Sequence, residues 1–188
     1  MQARREAWRE QTAGLDPRRL VFLDESGAKT NMTRLYGRAI GGQRMIDAAP
    51  RGQWHTTTML SSMRLDGSTE ALVVEGPTDA AVFRAYAEQV LAPSLRPGDI
   101  VVLDNLSPHK TPAALAALAA AGAEVWFLPP YSPDLNPIEK MWSKVKAFLR
   151  QAEARTAEAL FAAIAAALKT ITASDAANWF ASCGYVQA

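Results

Sequence analysis

Two apolar stretches close in the same way: RLVFLDES from Arg19 and DIVVLDNL from Asp99. Each is a short run of Val, Leu, Ile or Phe ending on an acid, the pattern of a buried strand that delivers a carboxylate at its tip. Between them, TTTMLSSMRLDGSTEALVVEG from Thr56 holds two strand-like runs around Asp66 and Gly67. An Asp-Gly pair in that setting predicts a two-residue hairpin turn at positive φ, so the chain should open as a three-strand antiparallel meander.

Beyond Pro77 the period changes. Val82, Phe83, Tyr86 and Val90 recur at helical spacing over Asp79 to Leu91, a length that suits a crossover helix. After the strand ending at Asp104, TPAALAALAAAG offers Thr111 as N-cap, Pro112 at the first helical position and Gly122 as stop, ahead of the short strand EVWFL. Helices are predicted over Ile138 to Arg150, Thr156 to Lys169 and Ser174 to Ala181; the Ala-rich tracts carry caps and apolar spacing and read as packed helices. A meander followed by two right-handed crossovers puts the fourth strand beside and parallel to the first. The result is an α/β domain with a mixed five-stranded sheet flanked by helices. It also brings Asp24 and Asp104 onto neighbouring strands, about 4.8 Å apart, where two carboxylates can share metal ions.

The stretch LPPYSPDLNPIEKMW from Leu128 adds a third acid. Pro129, Pro130, Pro133 and Pro137 fix φ and disfavour helix before them, so this strap should cross the sheet end in a nearly fixed shape. Asn136 then caps a helix that begins with Pro137 and buries Ile138, Met141, Trp142, Val145 and Leu149 on one face. Glu139 lies about 100° around from Ile138, at the edge of that face, where it can meet the two aspartates. Two readings fit this position: a metal ligand, or the partner of Asn136 in a capping box, since Glu139 is three residues on. Glu25 should face away from Asp24 across the strand, and Asp134 suits a turn in the strap; both are second choices.

Composition narrows the chemistry. A chain of 188 residues, 49% hydrophobic and 21% charged, predicts one soluble globular domain. Its net charge of +1 gives no strong pull on nucleic acid, so any such contact must rest on local basic patches or a second module. Cys183 is the only cysteine and His55 and His109 the only histidines. A zinc site on Cys and His is therefore not expected, and a bound metal should be a hard cation on carboxylates. The charged start, MQARREAWRE, is no secretory signal, and the run ALFAAIAAAL from Ala159 is too short to span a bilayer, which points to the cytoplasm.

In this order, FLDESGAKTNMTRLYGRA, VVLDNLSPHK and LPPYSPDLNPIEKMWSKVK resemble the catalytic domain of bacterial insertion-sequence transposases of the mariner superfamily, DDE superfamily endonucleases, from about Leu20 to the C-terminus. The resemblance implies a ribonuclease H-like fold and an Asp-Asp-Glu triad with 34 residues between its last members. Asp104 and Glu139 are 139 − 104 = 35 positions apart, which leaves those 34. The triad carried over is Asp24, Asp104 and Glu139, catalytic and metal-binding, the same acids reached from the strand ends and the strap. Two Mg²⁺ or Mn²⁺ ions are implied, with no covalent nucleophile on the protein.

The implied activity is cutting DNA at the element's ends and joining the freed 3′ hydroxyl to target DNA, usually at TA dinucleotides. His109 and Lys110, at the start of the next helix, and Lys140, Lys144, Lys146 and Arg150, on the polar side of the Glu139 helix, are the candidate DNA contacts. Residues 1–16 are expected to form a lead-in helix or linker and 17–188 the catalytic domain. Full-length relatives carry a helix-turn-helix module that Met1 to Asp16 has no room for, so a separate DNA-binding module is an expected partner, along with a homodimer and a place at the bacterial nucleoid. Two rival functions are an aspartyl phosphatase, whose second acid would fall at Ser26, and an inactive transposase remnant that only binds DNA or a partner subunit.

Overall fold

The computed structural model describes residues 2–46, 48, 50–51 and 54–186, with the backbone alone at 107 and 108. Strands β1 (Leu20–Lys29), β2 (Thr56–Arg64), β3 (Ala71–Glu75), β4 (Ile100–Leu103) and β5 (Glu124–Phe127) form one sheet in the order β3-β2-β1-β4-β5. The β1–β2 and β2–β3 pairs are antiparallel, and β1–β4 and β4–β5 are parallel. The meander and the two crossovers thus fold as the alternation of apolar runs predicts.

Helices cover both faces because the buried strands alternate. Leu20 and Phe22 of β1 join Ile100 and Val102 of β4 in a core with α4 (Ile138–Ala152), α5 (Ala157–Leu168) and α6 (Ala173–Ser182). Phe22 meets Phe180 edge to face at 5.2 Å, and Cys183 is buried in the same layer. Val21, Leu23, Val101 and Leu103 pack on the other face against Phe83, Tyr86 and Leu91 around α2 (Ala80–Tyr86) and Ala114 and Leu118 of α3 (Pro112–Ala120). Each large side chain fully buried in these layers contributes about 1.5–3 kcal/mol. Beyond α2 the helix widens to a π-type turn over Ala87–Leu91 and tightens over Ala92–Ser94, where Pro93 supplies no N–H.

The first helix, α1 (Gln2–Thr12), is tied to the same core. Buried Trp8 donates from Nε1 to the Tyr185 hydroxyl at 2.9 Å, and Tyr185 donates in turn to the Leu135 carbonyl at 2.7 Å. Arg5 forks onto the strap, to Ser132 Oγ at 3.0 Å and Asp134 Oδ1 at 2.9 Å. Between β1 and β2 the described residues of 30–55 form no helix or strand, and Tyr36, Ile40 and Ile46 are exposed there. Among the described residues no single helix is long and apolar enough to cross a membrane.

The β2–β3 connection departs from the two-residue turn. The Gly67 N–H bonds to the Arg64 carbonyl at 3.0 Å and the Arg64 N–H to the Ser68 carbonyl at 3.1 Å, so three residues make the loop and only Gly67 has positive φ, at 82°. Asp66 instead turns its carboxylate back to the Ser68 N–H, at 2.9 Å. A Cβ at Gly67 would lie 2.9 Å from the Thr172 carbonyl, whereas one at Gly27 in β1 would meet nothing within 4 Å. Gly67→Ala should lower the unfolding free energy by at least about 1–2 kcal/mol, from the left-handed backbone alone, and Gly27→Ala by less than about 0.5 kcal/mol; urea titration of both variants measures the difference.

Candidate active site

Along the parallel pair, Leu20, Val21 and Phe22 lie opposite Ile100, Val101 and Val102, an offset of 80 residues. Asp24 and Asp104 differ by the same 80, so they stand side by side where the two strands part. Asp24 is 8% exposed. One of its oxygens accepts the Glu25 N–H at 2.8 Å, and the other faces the Asn136 side-chain amide at 3.5 Å. Asp104 follows β4 directly and closes a turn, its Oδ1 accepting the Leu106 N–H at 3.0 Å.

The strap runs from β5 over these two acids. It starts with the Leu128 N–H on the Leu103 carbonyl at 2.8 Å and ends in a 3₁₀ turn over Pro133–Leu135. Within it Tyr131 holds φ at 54° and is 85% exposed. That conformation costs a non-glycine residue about 1–2 kcal/mol. Asn136 does not cap α4: its side chain makes no capping hydrogen bond and turns instead toward Asp24. The capping box between Asn136 and Glu139 is therefore absent, and Glu139, in the first turn of α4, lines a cavity of about 470 Å³ together with Asp24, Asp104 and Asn136.

Burial, with Glu139 and Asp104 adding repulsion, pushes Asp24 up to about 7 against the hydrogen bond from the Glu25 N–H. Asp104 moves the other way, because hydrogen bonds from His109 and the Leu106 N–H outweigh its desolvation. Desolvation opposes charge on His109 too, yet its bonds to Asp104 and Glu25 raise it to about 9. Among the described residues no three His, Cys, Asp or Glu side chains are close enough together to enclose an ion. The donor set still suits a hard cation: three carboxylates on one cavity and, among the described residues, a buried Asp24 with no ion pair and a buried Asn136 Oδ1 with no hydrogen-bond partner.

The sequence profile of the DDE superfamily endonuclease family matches residues 19–161. The chain belongs to this family. Its fold matches the Mos1 transposase paired-end complex with left transposon end at TM-score 0.75 and 20% identity, over 94% of this chain and 56% of that one. The catalytic domain of Mos1 mariner transposase matches at TM-score 0.60 and 17% identity, over 95% and 84%. The catalytic core domain of BIV integrase matches at 0.51 and 15%, over 80% and 81%. The chain thus spans a little over half the length of the longer Mos1 chain. Comparison with curated protein sequences gives no match.

In this DDE superfamily endonuclease the six basic candidates divide. His109 is wholly buried with both ring nitrogens engaged, which corrects its expected phosphate contact: among the described residues they bond to Asp104 and Glu25. Lys144 binds Asp175 Oδ2 at 2.6 Å and the Thr170 carbonyl at 2.8 Å, and Lys140 donates to Ser182, so both stitch α4 to the α6 region. Lys110 is exposed, its Nζ 5.4 Å from the centre of the Phe127 ring. Lys146 has no ion pair among the described residues, and Arg150 shares an open cavity with Arg34 and Tyr36. Asp134 is paired with Arg5, outside the carboxylate cluster.

Asp24 and His109 both bind their protons more tightly folded than unfolded, so stability falls as pH rises through each window. For Asp24 the window runs from its ordinary 3.8 to about 7, and for His109 from 6.5 to about 9. The metal-free protein should be several kcal/mol more stable near pH 5 than near pH 9. Asp24→Asn should flatten the lower part of the curve, as urea midpoints across pH would show.

Proposed function

We propose that this chain is the catalytic domain of a DNA transposase, cutting and joining DNA strands at insertion-sequence ends, with Asp24, Asp104 and Glu139 as its catalytic triad. The observation that carries this reading is the shared register of β1 and β4, which sets Asp24 beside Asp104 under a strap that brings Glu139 to the same cavity. Element-end DNA, a TA target, pairing of two copies, a recognition module elsewhere and a bacterial setting complete the proposal.

Phosphodiester cleavage needs a deprotonated oxygen nucleophile and stabilisation of charge on the leaving oxygen, and two Mg²⁺ or Mn²⁺ ions supply both when bound. Asp24 and Asp104 would hold them from the sheet end, and Glu139 from α4. Asp24 must give up the proton that burial lets it keep up to about pH 7. Asp104 is held ionised and presents the oxygen that its turn leaves free. Tyr131 stands exposed on the rim, where the strap holds it against the backbone preference of its residue type.

Asp104→Asn removes a charge but little volume, and should reduce metal-dependent nicking of element-end DNA to background while the thermal midpoint stays within a few degrees. Nicking at the wild-type rate would sink the triad. DNA binding without nicking by the wild-type chain would favour the inactive-remnant reading.

Phosphate contacts carry no sequence information, so the isolated chain should bind element-end and scrambled duplexes about equally, and less as salt rises. Lys146→Ala and Arg150→Ala should each reduce the salt slope by about 1. Lys144→Ala should instead lower the unfolding midpoint, because Lys144 is bound to Asp175. Affinities across a salt series, with melting curves alongside, separate the two groups.

A further inference from the structure

We propose that Glu25 and His109 are positioning residues for Asp104, a carboxylate–imidazole–carboxylate clamp that fixes which oxygen Asp104 turns toward the cavity. The proposal rests on the triad reading above and assigns work to two residues outside the triad.

The ring of His109 has no exposure and is held on three sides. Nδ1 lies 2.6 Å from Asp104 Oδ1, and Nε2 lies 3.1 Å from Glu25 Oε1. Each ring nitrogen thus lies within hydrogen-bonding distance of a carboxylate oxygen, which accepts from a ring N–H. Phe83 of α2 covers one ring face, with centroids 4.4 Å apart and the planes tilted by 35°. The imidazole therefore has little freedom to swing, and what it holds is held in direction as well as distance.

The consequence falls on the two oxygens of Asp104. Oδ1 already accepts two bonds, from the Leu106 N–H at 3.0 Å and from His109. Oδ2 has no hydrogen-bond partner among the described residues, and Asp104 lines the cavity shared with Asp24 and Glu139. A carboxylate pinned by one oxygen offers the other in a fixed direction. Without the clamp, rotation about its side-chain bonds would spread that oxygen over several directions.

Strand alternation explains why the clamp reaches across the sheet. Asp24 continues the Leu20 and Phe22 face toward α4, whereas Glu25 continues the Val21 and Leu23 face toward α2 and α3. His109 sits on that second face and joins Glu25 to Asp104 around the end of β4. Successive residues of β1 thus serve one site from two sides, Asp24 directly and Glu25 through the ring. A histidine that only filled the core would need neither two acidic partners nor a bond to the acid that lines the cavity.

The test is Mn²⁺ binding by titration calorimetry on the whole chain, with melting curves, for wild type, Asp104→Asn, Glu25→Gln, His109→Gln and His109→Asn. Loss of such a supporting bond costs about 10–100-fold in metal affinity, so His109→Gln should bind Mn²⁺ that much more weakly and Glu25→Gln about tenfold more weakly. His109→Asn, whose amide nitrogen falls near the Nδ1 position, should keep more affinity than His109→Gln, whose nitrogen falls near Nε2. Should the histidine variants fail to fold, Glu25→Gln carries the test, since it keeps the ring and the packing. Unchanged Mn²⁺ affinity in Glu25→Gln and His109→Gln, with only a lower melting point, overturns the clamp and leaves the triad standing. Mn²⁺ binding that is absent in wild type, or untouched by Asp104→Asn, overturns the triad reading and the clamp with it.

Discussion

Everything at the candidate site follows from the parallel pairing of β1 with β4. Three residue pairs at one constant offset suffice to carry Asp24 and Asp104 to the same height, although 79 residues of chain separate them. No local turn could do this, because parallel neighbours require a crossover that returns to the same edge. The meander supplies the far side of the sheet, and α2 and α3 supply the crossovers. The two apolar layers then hold the strands where the register put them.

That placement is electrostatically unfavourable without a cation. Asp24 is buried beside two other acids and shifts upward, while Asp104 is kept ionised by the partners of a single oxygen. Two aspartates at equal height thus differ in character because their surroundings differ: one lies under the strap, the other on a turn with a histidine at its back. The strap itself is over-determined, fixed by four prolines, by the forked contact from Arg5 and by the Trp8–Tyr185–Leu135 chain of hydrogen bonds. Such fixation is what allows Tyr131 to persist in a conformation its own backbone disfavours.

Much of this was legible in the sequence, because the strands carry unbroken apolar runs and the helices carry clear periods. The acids at the ends of those runs could be named from position alone, and so could the strap. The Asp66-Gly67 turn was misread in length, since Asp66 satisfies its carboxylate locally and leaves only Gly67 to take positive φ. Asn136 does not cap the helix because spacing does not say where a side chain turns, and its amide nitrogen faces a buried aspartate across the cavity while its oxygen stays off the helix end. The role of His109 lay beyond sequence reasoning for the same reason: Glu25 and His109 are 84 residues apart and meet only once β1 and β4 are paired. One signal was available, namely that Glu25 continues the face of Val21 and Leu23, where a carboxylate needs a partner.

The sole thiol lends the molecule an internal clock. Cys183 sits at the end of α6 beneath the core, and burial pushes its thiol above the usual value, so a thiol reagent in solution meets it only when that end of the helix lifts. The helix is fastened to α4 through Asp175 and Ser182. Where trapping outpaces reclosing, the rate at which Cys183 reacts therefore counts openings of the α6 end, which packs on the helix that carries Glu139, with no second cysteine to confuse the signal.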